Sequence, residues 1–120
     1  MSKKTLVLGA SLKTDRYSNI AINRLKQNNH EVVAFGLKQG EVNKVLIDTE
    51  LLDYEDVDTV TLYLNPKHQE AYYDYILDLK PKRVIFNPGT ENPELYKILK
   101  DNNIDFEVAC TLVLLATDQY

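Results

Sequence analysis

Short apolar segments alternate with amphipathic segments along this chain, and this alternation restricts the possible folds more than any other feature. The segments that resemble β-strands are residues 4–8, 31–35, 59–64, 83–86 and 105–108, with a weaker candidate at 45–47. Helical spacing of apolar residues appears at 19–29, at 67–79 and again after Asn92. Strands that alternate with helices fold as right-handed βαβ units. The sequence therefore predicts a three-layer α/β domain, with a mostly parallel sheet of five or six strands and helices on both faces.

The length and charge of the chain limit its organisation and its partners. No linker or repeat divides the 120 residues, so we expect residues 1–120 to form a single domain. The net charge of −4 argues against nucleic acid as a partner, because general nucleic-acid binding needs a basic surface. One cysteine suits a reducing compartment, and the apolar run after residues 1–4 is too short for a signal peptide or membrane span. We expect a cytoplasmic protein that does not bind membranes.

Four polar segments follow the predicted strands and should meet at one edge of the sheet. They are residues 9–18, 36–40, 65–68 and 87–91. In open parallel sheets, ligands bind beyond the carboxyl ends of the strands, where the strand order reverses. We therefore expect a ligand site at this edge.

The first of these segments has the composition of an anion site. Strand residues lead into Gly9, Ala10 and Ser11, a polar loop carries Arg16 and Tyr17, and a helix is predicted to open at Ser18 and Asn19. A helix N-terminus presents unpaired N–H groups and a partial positive charge. An arginine in the same loop adds a bidentate donor for phosphate. The turn predicts a binding site for a phosphorylated nucleotide.

The residues around this turn distinguish between nucleotides. The dinucleotide fingerprint G-x-G-x-x-G is absent, since Ser11 stands at the second glycine position. The acidic residue that would hold the ribose of NAD after the second strand is also absent, and Lys38 lies there instead. A lysine favours a ribose phosphate, as in NADP or coenzyme A (CoA). The missing glycines weigh against NADP, whose pyrophosphate requires close approach to the backbone.

The sequence resembles a known family, the small stand-alone CoA-binding proteins with a Rossmann-like domain. Their domain is similar to the N-terminal CoA-binding domain of the succinyl-CoA synthetase α subunit. The resemblance covers nearly the whole chain. The matching parts are residues 7–11, 16–18, 31–33 leading to Lys38, 60–66, 84–89 and Cys110. Departures occur at Leu37-Lys38, where the family often has Pro-Lys, and at Asn87-Pro88-Gly89, where it tends to have Gln-x-Gly.

The resemblance implies a set of site residues, position by position. Those expected to contact the pyrophosphate region are Gly9, Ala10, Ser11, Arg16, Tyr17 and Ser18. Lys38 would lie near the ribose phosphate, and Asn65 with Pro66 would flank the adenine or pantetheine path. The function implied is a binding module for CoA or an acyl-CoA, without catalysis of its own. The alternatives are a small NADP-dependent reductase and a degenerate Rossmann domain that acts through protein partners.

The remaining chemically distinctive residues do not form a catalytic or metal-binding pattern. His30 and His68 lack a partnered nucleophile, and neither a Ser–His–Asp order nor a metal-ligand spacing is present. We expect Cys110 to be a buried, unreactive thiol, because apolar residues flank it. Tyr73 and its neighbouring tyrosines in the helix are expected mainly to serve helix packing, and exposed Tyr73 is also available for a homodimer contact.

Overall fold

A computed structural model describes residues 2–120 of the chain as a sheet covered by helices on both faces. The strands are β1 (Thr5–Ala10), β2 (Val32–Gly36), β3 (Gly40–Val42), β4 (Val45–Asp48), β5 (Thr59–Leu62), β6 (Arg83–Phe86) and β7 (Asp105–Val108). Their order in the sheet is β3-β4-β2-β1-β5-β6-β7. Every neighbouring pair is parallel except β3 and β4. This confirms the predicted α/β, Rossmann-like class.

Five α-helices connect or follow the strands. They are α1 (Tyr17–Gln27), α2 (Pro66–Gln69), α3 (Tyr73–Leu79), α4 (Pro93–Asp101) and α5 (Thr111–Ala116). Alternate residues of β1 face the two opposite sides of the sheet. Val7 faces one side, where it packs in a core with Ile22 and Leu25 of α1. Leu6 and Leu8 point to the other face, where Ile76 of α3 and Leu99 of α4 are fully buried.

The sheet has seven strands, one more than the upper end of the predicted range. The weak candidate at 45–47 is confirmed as β4, and the unpredicted strand is its antiparallel partner β3. Asn43 and Lys44 join them, with φ values of 48° and 66°. A two-residue turn with φ positive at both positions matches the right-handed twist of a hairpin. Because lysine seldom adopts that conformation, the sequence did not signal the turn.

The predicted helix at 67–79 is divided in the structure. The α2 helix ends at Gln69, a 3₁₀ turn covers Glu70–Tyr72, and α3 begins at Tyr73. Gln69 is fully buried, and its side-chain amide donates to the backbone oxygens of Leu64 and Thr90, both at 2.8 Å. The break separates this inward polar anchor from Ile76, which packs in the apolar core.

Candidate functional site

The strand order reverses at the carboxyl ends of β1 and β5, where a parallel sheet is expected to offer a ligand crevice. From β1 the chain passes to β2 on one side, and it later returns to β5 on the other side of β1. This reversal is the switch point at which parallel sheets bind ligands. The loop after β1 and the start of α2 border the crevice, so the structure brings two of the predicted segments together.

Glycines at this edge allow three strands to approach closely. Gly9 lies within β1 at an irregularity in its pairing with β2, and not in the free turn predicted for it. Its φ is +101°, and a Cβ there would lie 3.0 Å from Leu64 Cδ2 and 3.1 Å from the Tyr63 carbonyl carbon. A Cβ on Gly36 would lie 2.3 Å from the backbone oxygen of Ala10, which is a buried residue. Close packing between strands explains both glycines.

The α1 helix begins without a side-chain cap. Its first residue is Tyr17, slightly earlier than the predicted opening at Ser18 and Asn19, and its N-cap is Arg16. Arg16 makes no capping hydrogen bond with its side chain, and no acidic residue lies in the first turn. Ser18 is buried, while Arg16 and Tyr17 are exposed. The Asn19 N–H donates to the Arg16 backbone oxygen at 3.1 Å. Among the first-turn N–H groups, those of Tyr17 and Ser18 therefore keep their capacity to bind an anion.

The loop that leads into α1 is held by short-range hydrogen bonds. Ser11 Oγ accepts from the Lys13 N–H at 3.1 Å, and the Ser11 carbonyl accepts from Asn19 Nδ2 at 3.0 Å. The Ser11 hydroxyl thus has a local structural role, which leaves its place in the predicted site a prediction. Leu12 lies against Gly40, where a Cβ would be 2.5 Å from Leu12 Cδ2. This contact brings the β2–β3 loop, with exposed Lys38, beside the β1–α1 loop.

Two helices at this edge, α2 and α4, start with an Asn-Pro pair. They differ from α1 because the asparagine of each pair caps its helix. Asn65 Oδ1 accepts from the His68 N–H at 3.1 Å at the start of α2, and Pro66 is the first helical residue. Asn92 Oδ1 accepts from the Leu95 N–H at 3.4 Å at the start of α4, as its sequence predicted. The cap of Asn65 is a structural role, and its contact with a ligand remains a prediction.

Sequence reasoning missed a buried set of polar side chains beneath the carboxyl edge, here called the amide network. Its members are Thr61, Gln69, Asn87, Thr90, Asn92 and Thr111, all of them at least nine-tenths buried. Asn87 Nδ2 donates to Thr61 Oγ1 at 2.6 Å, and Asn92 Nδ2 donates to Gln69 Oε1 at 2.9 Å. The polar segment at 87–91 was the available signal, but the sequence does not reveal its distant partners.

Three further residues lie near this edge, and the surroundings of two of them, Cys110 and Tyr73, differ from those predicted. Cys110 is half-buried at the N-cap of α5, so it is less buried than the sequence predicted. Tyr73 is also half-buried, and its hydroxyl accepts from Asn92 Nδ2 at 2.8 Å, so it is not a free surface residue. The Tyr63 hydroxyl makes no hydrogen bond of ordinary geometry with the described residues. Burial raises the pKa of Tyr63 to about 12, which keeps the phenol neutral.

Charged depressions also lie at the opposite, amino edge of the sheet. They have volumes of about 360 and 530 Å³, and ion pairs already engage part of their lining, Arg83 with Glu107 and Lys4 with Glu31. His30 lies at this edge, where its Nδ1 accepts from the Lys3 N–H at 2.9 Å. These depressions are far from the switch point. Within residues 2–120, no group of three His, Cys, Asp or Glu side chains is placed to hold a metal ion.

The parallel sheet and the reversal of its strand order between β1 and β5 place the chain in the class of Rossmann-like α/β domains. Residues 3–116 match the family described as CoA binding domain, and the chain belongs to that family. This confirms the resemblance found in the sequence and supports a CoA-binding role. No curated protein matches the chain. No helix within residues 2–120 has the length and apolar character needed to cross a bilayer.

Solved structures with the same fold are similar over almost the entire chain. A crystal structure of a protein described as uncharacterized is 52% identical, with a TM-score of 0.97, and the match covers 100% of this chain and 99% of that chain. A protein from Thermus thermophilus is 22% identical with a TM-score of 0.86, covering 99% and 91%. A hypothetical protein from Pyrococcus horikoshii is 28% identical with a TM-score of 0.83, covering 93% and 80%.

Proposed function

We propose that this chain binds CoA or an acyl-CoA at the crevice between β1 and β5, without catalysing a reaction itself. The observation that carries the proposal is the uncapped start of α1 at the switch point, in a chain of the CoA-binding family. The starts of α2, α4 and α5 have less capacity, because the side-chain oxygens of Asn65, Asn92 and Asn87 each already accept from a first-turn N–H group.

The pyrophosphate of the ligand would lie against the first turn of α1. Backbone N–H groups of residues 9–11 and 17–18 would donate to its oxygens, and the exposed Arg16 guanidinium would form charge-assisted hydrogen bonds. Lys38, on the neighbouring loop, would pair with the ribose phosphate. Asn65 and Pro66 border the crevice on the other side and would flank the path of the ligand.

The side chains at this edge support binding more than chemistry. Tyr63 stays neutral because burial raises its pKa to about 12, and its hydroxyl is enclosed by protein. His68 is exposed at the start of α2, and His30 lies at the opposite edge with Nδ1 already engaged. We therefore propose a small-molecule nucleotide as the partner. A cytoplasmic location, and contact with a second copy or another protein, stay predictions from the sequence.

A thermal unfolding series tests the proposal. CoA, NADP and NAD would each be added at millimolar concentration to the purified protein. A ligand at a hundred times its Kd stabilises the folded state by about 2.7 kcal/mol. In a domain of this size that raises the Tm by about 10 °C. We expect this shift with CoA and none with NAD. A shift with NADP and none with CoA would overturn the proposal in favour of a reductase.

A further inference from the structure

Asn87 links three elements at the carboxyl edge through its side-chain amide alone. Its Nδ2 donates to Thr61 Oγ1 at 2.6 Å and to the Leu62 backbone oxygen at 2.8 Å, both on β5. Its Oδ1 accepts from the Thr111 N–H at 2.8 Å, at the first residue of α5. Asn87 follows β6, so one side chain joins the ends of β5 and β6 to the start of α5.

The amide network extends this connection to the neighbouring loops. The Asn87 carbonyl accepts from the Thr90 N–H at 3.0 Å and from Thr90 Oγ1 at 2.7 Å. Gln69 Nε2 donates to the backbone oxygens of Thr90 and Leu64 at 2.8 Å. Thr61 Oγ1 and Thr111 Oγ1 share a hydrogen bond of 2.8 Å. The loops after β5, β6 and β7 are therefore fastened to one another by buried polar contacts.

The position of these loops relative to Lys38 matters for a long ligand. Lys38 follows β2, on one side of β1, whereas β5, β6 and β7 lie in order on the other side. Strands in a sheet are about 4.8 Å apart, so β7 is about 14 Å from β1. If the ribose phosphate lies on the β2 side, as in the proposed function, the pantetheine arm leaves the switch point across the ends of β5, β6 and β7.

We propose that Asn87 is a positioning residue for the pantetheine arm of the bound ligand. This inference rests on the proposed function and specifies which part of the ligand the loops after β5, β6 and β7 receive. Asn87 is 3% exposed, so it acts through the loops that it holds. Loops that are already fixed lose little conformational freedom when a flexible arm binds, and this lowers the cost of binding.

The test compares CoA with adenosine 3′,5′-bisphosphate, which carries the adenosine with its 3′- and 5′-phosphates but lacks the second phosphate of the pyrophosphate and the pantetheine arm. Calorimetry would measure both affinities for the wild type, Asn87→Ala and the near-isosteric Thr61→Val. The core variant Leu99→Ala is the control, because Leu99 is fully buried in α4 and outside the amide network. A general loss of protein stability would weaken the binding of both ligands to a similar degree. The ratio of the two affinities therefore separates positioning from a structural role.

We expect Asn87→Ala to weaken the binding of CoA about tenfold and that of the bisphosphate less than twofold. The selective loss is then about five- to tenfold, or about 1.0–1.4 kcal/mol. Thr61→Val should change the ratio in the same direction by a smaller factor, and Leu99→Ala should leave it unchanged. If Asn87→Ala does not fold, the direction of the Thr61→Val ratio decides. If the wild type binds CoA and the ratio of the two affinities is the same in the wild type and in the variants, this inference alone is overturned. Failure of the wild type to bind CoA overturns the proposed function with it.

Discussion

Replacing Gly9 with alanine tests whether the backbone at the end of β1 is packed as tightly as the structure shows. Two effects oppose the added methyl group. The φ of +101° is one that L-residues rarely adopt. The Cβ would also lie 3.0 Å from Leu64 Cδ2 and 3.1 Å from the Tyr63 carbonyl carbon. The leucine side chain can shift, but the Tyr63 backbone is held by a 2.9 Å hydrogen bond from its N–H to the Leu8 oxygen.

Gly89 provides a matched control for this variant. Its φ is +92°, close to that of Gly9, but a Cβ there would meet nothing within 4 Å. Gly89→Ala should therefore cost only the backbone strain, about 1–3 kcal/mol. Gly9→Ala should add about 1–3 kcal/mol for overpacking. The effect of alanine on the unfolded chain is similar for both variants and largely cancels in their difference.

Urea denaturation and thermal unfolding of both variants would measure the difference. At about 4 °C per kcal/mol for a domain of this size, Gly9→Ala should melt about 8 °C below Gly89→Ala. Equal Tm values would show that backbone strain accounts for the whole effect. The close approach of β1 to the end of β5 would then not limit the residue at position 9, and the reasoning would be refuted.

Four further predictions concern the ligand site and the opposite edge. Arg16→Ala should weaken CoA binding by about 1.5–3 kcal/mol, the range for a charge-assisted hydrogen bond; calorimetry checks this against Arg24→Ala, in the last turn of α1, and an unchanged affinity would remove Arg16 from the site. Lys38→Ala should abolish the preference of the wild type for CoA over dephospho-CoA, and equal discrimination in both proteins would make Lys38 an ordinary surface lysine. Cys110→Ser should leave CoA binding within about 1 kcal/mol, because a conservative change at a half-buried N-cap leaves the backbone in place; a stoichiometric adduct of the wild type with CoA disulfide, detected by intact mass, would contradict an unreactive thiol. Burial, followed by the charge of Lys3, lowers the pKa of His30. The unfolded chain therefore binds a proton at this residue more readily than the folded protein, and stability should fall as the pH drops below about 6.5. His30→Gln should remove this part of the pH dependence of the urea midpoint, and a profile identical to that of the wild type would exclude His30 as its source.

Much of the fold was predictable because its signals are local. Apolar runs of strand length alternate with helical spacing, and this pattern alone requires βαβ units. Asn92 and Pro93 predicted the start of α4, since a cap needs only the residues around it. The predicted ligand edge followed from the same pattern, because parallel strands end on one side. Arg16 and Tyr17 do lie at that edge, as the N-cap and the first residue of α1.

Contacts between distant parts of the chain were decided by the tertiary structure. Thr61 and Thr111 are 50 positions apart, and nothing in either segment indicates the other. Gln69 looks like an ordinary polar residue of a helix until β6 brings the Thr90 carbonyl within 2.8 Å of its amide. Gly36 is required because the Ala10 oxygen lies where a Cβ would be. The sequence by itself determined the layers and the carboxyl edge proposed for the ligand, because propensity, periodicity and capping act over a few residues. Which buried amides hold that edge depended on strand pairing, which brings together groups that are far apart in the chain.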